Sequence, residues 1–207
     1  MDHLVLYRPG AGVVWILSHG AGSSFTPQFA SWSGIGTFDL SSPADNIIAF
    51  DYNGTGLMDH LVLYRPGTGL VWLLAHGSAN SFYPVEVGSG IGGFDLSSPA
   101  DRLIAYDYSQ TGLSNYLLAY RPGTGVVWIL AHGSGNSFTP QFASWSGIGG
   151  YDLSSTVDQM ISSITLAMER SRTCLPIVLD QAKLTWCSSL PTIFRRCTKR
   201  RTFLRLR

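Results

Sequence analysis

Cysteine is missing from the first 161 residues of this 207-residue chain; Cys174, Cys187 and Cys197 all lie beyond them. That excludes a disulfide framework for the larger part, and leaves its redox compartment undetermined. Positive charge is scarce there too. Arg8, Arg65, Arg102 and Arg121 stand against eleven acidic residues, a formal −7. No run approaches the roughly 20 apolar residues of a membrane-spanning helix. No histidine or cysteine spacing suits zinc, no Gly-x-Ser-x-Gly elbow supplies a nucleophile, and residues 1–161 carry no convincing 3.6-residue apolar stripe. A signal peptide would need a charged start and an apolar run. Instead Met1 aligns with Met58 inside a repeat, so the natural N-terminus is expected upstream. The compartment stays open; a longer parent protein could be secreted.

What the chain does have is repetition. DHLVLYRPGAGVVWILSHG begins at Asp2, DHLVLYRPGTGLVWLLAHG at Asp59 and NYLLAYRPGTGVVWILAHG at Asn115. A recurring period of this order marks stacked supersecondary units, none of which buries its apolar face alone. The three units run over 2–58, 59–114 and 115–161, and residues 162–207 form a non-repeating basic tail.

Within residues 46–93 the pattern predicts four strands. IIAFDY (47–52), LVLYR (61–65) and LVWLLAH (70–76) are apolar and β-branched. SFYPVEV (81–87) carries a proline that favours a sheet edge. NGTG and PGTG supply the turns. The inner two strands are apolar at nearly every residue, which implies burial on both faces. Four-stranded antiparallel sheets stacked face to face fit an incomplete β-propeller, an all-β fold, better than a solenoid.

The loop at residues 51–59 carries chemistry. Side-chain oxygens fall on Asp51, Asn53, Thr55 and Asp59, and the Leu57 carbonyl can turn inward. Hard oxygens on a glycine-bent loop at this spacing suit Ca²⁺. The same positions in the next copy are Asp107, Ser109, Thr111, Leu113 and Asn115, with one carboxylate and a weaker expected affinity; the first copy keeps only Asp2. A hydrogen-bonded Asx turn needing no metal is the other reading. FDYNGTGLMDHLVLYRPGTG resembles the FG-GAP/VCBS repeat, an Asp/Asn-rich glycine loop followed by an apolar strand and often Tyr-Arg-Pro. The resemblance covers residues 1–161. It implies seven-bladed propellers, as in integrin α heads and fungal sugar-binding lectins, with calcium bound between the first two strands of a blade. Ser109 and Asn115 depart from the pattern.

Other signals read as structure. His19, His76 and His132 each precede a glycine, like an oxyanion loop, but three copies argue for a structural part and against an enzyme. Residues 88–93 match a dinucleotide fingerprint in form, yet no helix follows. Asn53-Gly54-Thr55 is a glycosylation sequon better explained by the loop. Trp15, Trp72 and Trp128 recur at one strand position, which suits packing between blades. Trp32 and Trp145 sit ahead of the linker and are absent from the middle copy. Packing explains them, and they are also the candidates for stacking on a sugar ring. The recurrent Tyr7-Arg8, Tyr64-Arg65 and Tyr120-Arg121 suggest a turn with the guanidinium on a neighbouring carbonyl.

Resemblance to the repeats stops after residue 161, and the tail carries ten Lys or Arg against Glu169 and Asp180. Shifting the frame of residues 162–182 by one step, under permitted codons, restores Phe-Asp-Tyr and Tyr-Arg-Pro-Gly at the separation seen at 50–52 and 64–67. The expectation is a frame change or mis-called splice in the gene of a longer propeller. The alternative is a genuine extension, irregular or partly helical through Met160, Ile161, Ile164 and Met168. Its basic end matches no nucleic-acid module, so neither nucleic acid nor membrane is expected as a partner. The functional expectation is a non-enzymatic recognition module for a glycan or protein, with calcium-stiffened loops. The alternative is a purely structural fragment. So few blades cannot close a ring, and their open edges invite self-association.

Overall fold

The computed structural model describes residues 3–135, 137–163, 175–179 and 182–186. The chain divides into two units, Met1–Ile164 and Thr165–Arg207. Among the described residues there is no α-helix, only strands and one 3₁₀ turn at Ser78–Asn80.

The first unit holds three antiparallel sheets that do not close. Strands β1 (His3–Arg8), β2 (Val13–His19) and β3 (Phe25–Ser31) form the first. β4 (Asn46–Phe50), β5 (His60–Arg65), β6 (Leu70–His76) and β7 (Phe82–Ser89) form the second. β8 (Arg102–Tyr106), β9 (Tyr116–Arg121), β10 (Val126–His132) and β11 (Phe138–Ser144) form the third. Each sheet runs in sequence order, so every blade is a meander. The first has three strands where four were expected, and the edge of β1 is unpaired among the described residues. A blade takes its innermost strand from the end of one sequence period and its other three from the next. β4 lies beside β8, which places the first strands of neighbouring blades together.

The double-sided burial expected of the inner strands is present: β5 is buried from His60 to Tyr64 and β9 from Leu117 to Tyr120. The second blade packs one face on the first blade and the other on the third. Val14, Ile16, Ile35, Phe38 and Leu40 meet Leu61, Leu63 and Leu74 between the first two blades. Val62, Tyr64, Val71 and Leu73 meet Leu103, Leu117, Ala119 and Leu130 between the second and third. Each fully buried aliphatic side chain contributes about 1.5–3 kcal/mol, so these junctions hold the stack together. Pro27, Pro84 and Pro140 all lie on edge strands beside a register shift, where a missing N–H costs least.

The linkers are structural parts. Leu40, Leu96 and Leu153 are fully buried and adopt φ of +48°, +50° and +52°. That conformation costs about 1–2 kcal/mol for a non-glycine residue. It is offset because each carbonyl accepts two N–H groups from the Pro-Gly-x-Gly turn: Leu40 from Gly10 and Gly12, Leu96 from Gly67 and Gly69, Leu153 from Gly123 and Gly125. The glycine turns therefore close hairpins and also dock linkers.

In the second unit, β12 (Leu175–Leu179) pairs antiparallel with β13 (Ala182–Trp186), Leu175 opposite Trp186. These two segments are strands, and most of the rest of the tail, including Ile164 and Met168, lies outside the described residues. Residues 160–163 are also non-helical. Of the residues on which the frame-change expectation rests, 164–174 and 180–181 lie outside those described.

Candidate functional site

The Asp51 loop joins β4 to β5 and is organised by its first carboxylate. Asp51 is 1% exposed. Its Oδ1 accepts the Thr55 N–H at 2.9 Å and its Oδ2 the Gly56 N–H at 2.8 Å. Gly54 and Gly56, at φ +65° and +81°, turn those amides inward. Asp59 lies across the loop. Its Oδ2 accepts the Asn53 side-chain amide at 3.2 Å, and its Oδ1 meets His60 Nδ1 at 2.6 Å. The Thr55 hydroxyl accepts the Leu57 N–H at 3.4 Å, and the Leu57 side chain is exposed. The five residues picked from spacing thus share one loop, with Asp51, Asn53 and Asp59 tied into internal hydrogen bonds.

The second loop repeats the core of this arrangement. Asp107 accepts N–H groups from Thr111 at 3.1 Å and Gly112 at 2.6 Å. Ser109 bonds Thr111 hydroxyl to hydroxyl at 3.0 Å. Gln110 takes φ +58° where the first loop has Gly54. Leu113 is half-buried, and Asn115 turns away from its loop with a buried, unpartnered Oδ1.

Asn115 belongs to the lining of a cavity of about 180 Å³, with Tyr52, Asn53 and Gly54 from one blade and Tyr116 and His132 from its own. The Asp51 N–H donates to the Ser114 carbonyl at 3.3 Å, which ties the two loops together. Tyr52 is sandwiched between His60, stacked at 4.6 Å, and His132, at 3.7 Å between ring centroids. Burial, and secondarily the charge of His60, pushes His132 below the usual imidazole range; its Nε2 is buried without a partner. Burial likewise raises the Glu86 carboxyl and, ahead of the charge of Glu86, the Tyr52 hydroxyl. This cluster was not anticipated. Its signal was thin, because His60 is matched by Tyr116 rather than histidine in the third copy.

The repeated histidines have a common packing role. His19, His76 and His132 each lie on the phenylalanine opening the next strand, at 5.2, 5.2 and 5.5 Å. The arginines do not contact carbonyls as expected. Arg65 reaches Asp45 with Nε and Nη2 at 2.6 and 2.9 Å, and Asp39 with Nη2. Arg121 does the same with Asp101 and Asp95. Two carboxylates from the linker outcompete a carbonyl for a half-buried guanidinium.

The strand tryptophans pack at the junctions, Trp72 edge-on to Phe38 at 5.7 Å and Trp128 edge-on to Phe94 at 6.0 Å. Trp32 and Trp145 are different. They are 68% and 67% exposed, yet each stands edge-on against a strand tryptophan, Trp15 at 6.0 Å and Trp128 at 6.3 Å. The middle blade has Gly88 at this position. Trp32 and Trp145 belong to different blades and do not join the cavity.

No family model and no curated protein matches the chain. Among solved structures it is similar to a protein from Lactobacillus plantarum known from its crystal structure. The identity is 16%, the match covers 68% of this chain and 38% of that one, and the TM-score is 0.39.

Proposed function

We propose that the first unit is a non-enzymatic recognition module of the FG-GAP/VCBS type, a carbohydrate-binding propeller segment with stacking faces at Trp32 and Trp145. The observation that carries this reading is the combination of wide exposure with fixed orientation. An isolated surface indole costs solvation and gains nothing from its neighbours. These two are braced by a second indole and leave one face open. Such a face suits the apolar side of a pyranose ring. Ser31 and Ser33 beside Trp32, and Ser144 and Ser146 beside Trp145, supply hydroxyls for the sugar rim. Gly88 removes the platform from the middle blade.

Titration of the chain with a panel of mono- and oligosaccharides, followed by tryptophan fluorescence, tests this. Trp32→Ala and Trp145→Ala together are expected to weaken binding at least tenfold. Undiminished glycan binding by the double variant, or no binding by the parent, would sink the proposal. Retention of a protein through the same tryptophans, without a glycan signal, would move the ligand class from sugar to protein.

Calcium belongs to the same proposal at the Asp51 loop, which joins the first two strands of its blade. Asp51, Asn53, Thr55, Asp59 and the Leu57 carbonyl form a donor set that suits a hard cation. Asp51 is already fixed, and each oxygen that accepts an N–H keeps a second lone pair. Asp59 must first be released by Asn53 and His60. The ion would cross-link the two ends of the loop. The loop at 107–115, with one carboxylate, is the weaker counterpart.

The alternative reading is a purely structural segment of a longer propeller protein.

A further inference from the structure

We propose that this chain binds a second copy of itself head to tail, residues 152–163 of one copy completing the first sheet of the next along the β1 edge that is unpaired among the described residues. The internal junctions show the finished form of this contact. In each, the linker aspartates reach an arginine of the second strand of the next sheet: Asp39 and Asp45 take Arg65, and Asp95 and Asp101 take Arg121. Five residues then pair along that second strand. Asn46 faces Tyr64 and Phe50 faces His60 in one case; Arg102 faces Tyr120 and Tyr106 faces Tyr116 in the other.

The same parts are present at both ends of the stack without their complements. Arg8 holds the position of Arg65 and Arg121, is exposed, and has no ion pair among the described residues. Asp152 and Asp158 hold the positions of the linker aspartates and bond only local groups: Asp152 accepts the Ser154 N–H, and Asp158 the Ser155 N–H and the Tyr151 hydroxyl. Met160 has already begun the next inner strand. Its N–H donates to the Tyr120 hydroxyl at 3.1 Å, as the Leu103 N–H donates to the Tyr64 hydroxyl at 3.1 Å. Residues 161–163 then run on with no strand partner among the described residues, and Ile161 is 86% exposed.

The apolar face beside the bare edge fits the same occupant. Leu4 and Leu6 are 49% and 46% exposed, whereas their counterparts Leu61 and Leu63 are 5% and 0% exposed under the preceding blade. Carrying the internal register across sets Gln159 opposite Tyr7, Met160 opposite Leu6, Ile161 opposite Val5 and Ser163 opposite His3. Strand addition relies on backbone bonds, so the serines at 162 and 163 do not prevent it. Because plug and socket are different surfaces, the contact is heterologous and generates rings or open filaments. The inference rests on the blade geometry and is independent of any glycan or calcium.

Sedimentation equilibrium of the full chain across a hundredfold concentration range tests it. The expected result is a mass rising above the 22.5 kDa of one copy. Ile161→Pro, at an exposed position outside the folded sheets, removes a backbone donor and should weaken association at least tenfold with an unchanged circular dichroism spectrum. Arg8→Glu and Asp158→Arg should each stay monomeric alone and associate when mixed. The mixture pairs the two introduced charges with each other and the native Arg8 with the native Asp158, and so restores rings or filaments with the two variants alternating. A parent that remains monomeric, an Ile161→Pro variant that associates like the parent, or a mixture that stays monomeric would each overturn the proposal.

Discussion

Replacing Arg121 by methionine isolates one buried charge. The Asp101 side chain is 0% exposed and receives the Arg121 fork at 2.6 and 2.9 Å. Its remaining side-chain partner is the Ser98 N–H at 2.9 Å. Methionine keeps the apolar stem over the Phe94 ring, where the guanidinium now lies 5.5 Å from the centroid. It leaves the carboxylate buried without a countercharge. Stranding one member of such a pair costs about 3–5 kcal/mol. The second contact, to Asp95 at 61% exposure, adds less than about 1 kcal/mol. Domains of this kind are stable by about 5–15 kcal/mol, so the loss should move the urea midpoint far outside error. Tryptophan fluorescence and far-ultraviolet circular dichroism would follow it. Adding Asp101→Asn removes the stranded charge, keeps an acceptor for Ser98, and should recover about half of the loss. Arg102→Met is the control; that guanidinium contacts only the Pro99 and Asp101 carbonyls and should cost about 1 kcal/mol or less. An Arg121→Met loss no larger than the control, or no recovery on adding Asp101→Asn, would refute the reasoning.

Gly34→Ala should unfold the first linker. A Cβ there would sit 1.7 Å from the Phe38 carbonyl oxygen at φ +90°, so the loss should exceed about 3 kcal/mol. Gly22→Ala, at φ +70° with nothing within 4 Å, should cost only about 1–2 kcal/mol in the same thermal melt. Calorimetric titration with Ca²⁺ should give one main binding event that Asp51→Ala abolishes and Asp107→Ala leaves in place. Absence of heat with the parent chain removes calcium from the proposed function.

The strands were legible because their signals are local. Segments 47–52, 61–65, 70–76 and 81–87 fall within two residues of β4 to β7 at every boundary. β-Branched runs between glycine turns leave little else for those residues to do. The structural role of the linkers was not legible, for the opposite reason. Leu96 adopts a left-handed conformation that no propensity favours, and only the two amides of Gly67 and Gly69, nearly thirty residues upstream, make it worthwhile. The arginine clamp had a readable trace that went unused. Aspartates at 39, 95 and 152, and again at 45, 101 and 158, keep fixed distances from the arginines that follow them, where there is one.

The candidate sites divide along the same line. The Asp51 loop could be picked out by spacing, because its hydrogen bonds span at most six residues. The cavity beside it could not, since Tyr52 meets His132 only after two blades have stacked and brought together residues eighty positions apart. Trp32 and Trp145 fall between these cases. Their period marks them as blade parts, and their gap in the middle copy marks them as dispensable to the stack. Gly88 in the middle blade shows that the stack does not need an indole at this position, which is why the proposed function places its use outside the sheet. Fold residues recur in all three blades here, as Leu40, Leu96 and Leu153 do; residues facing a ligand are free to skip one.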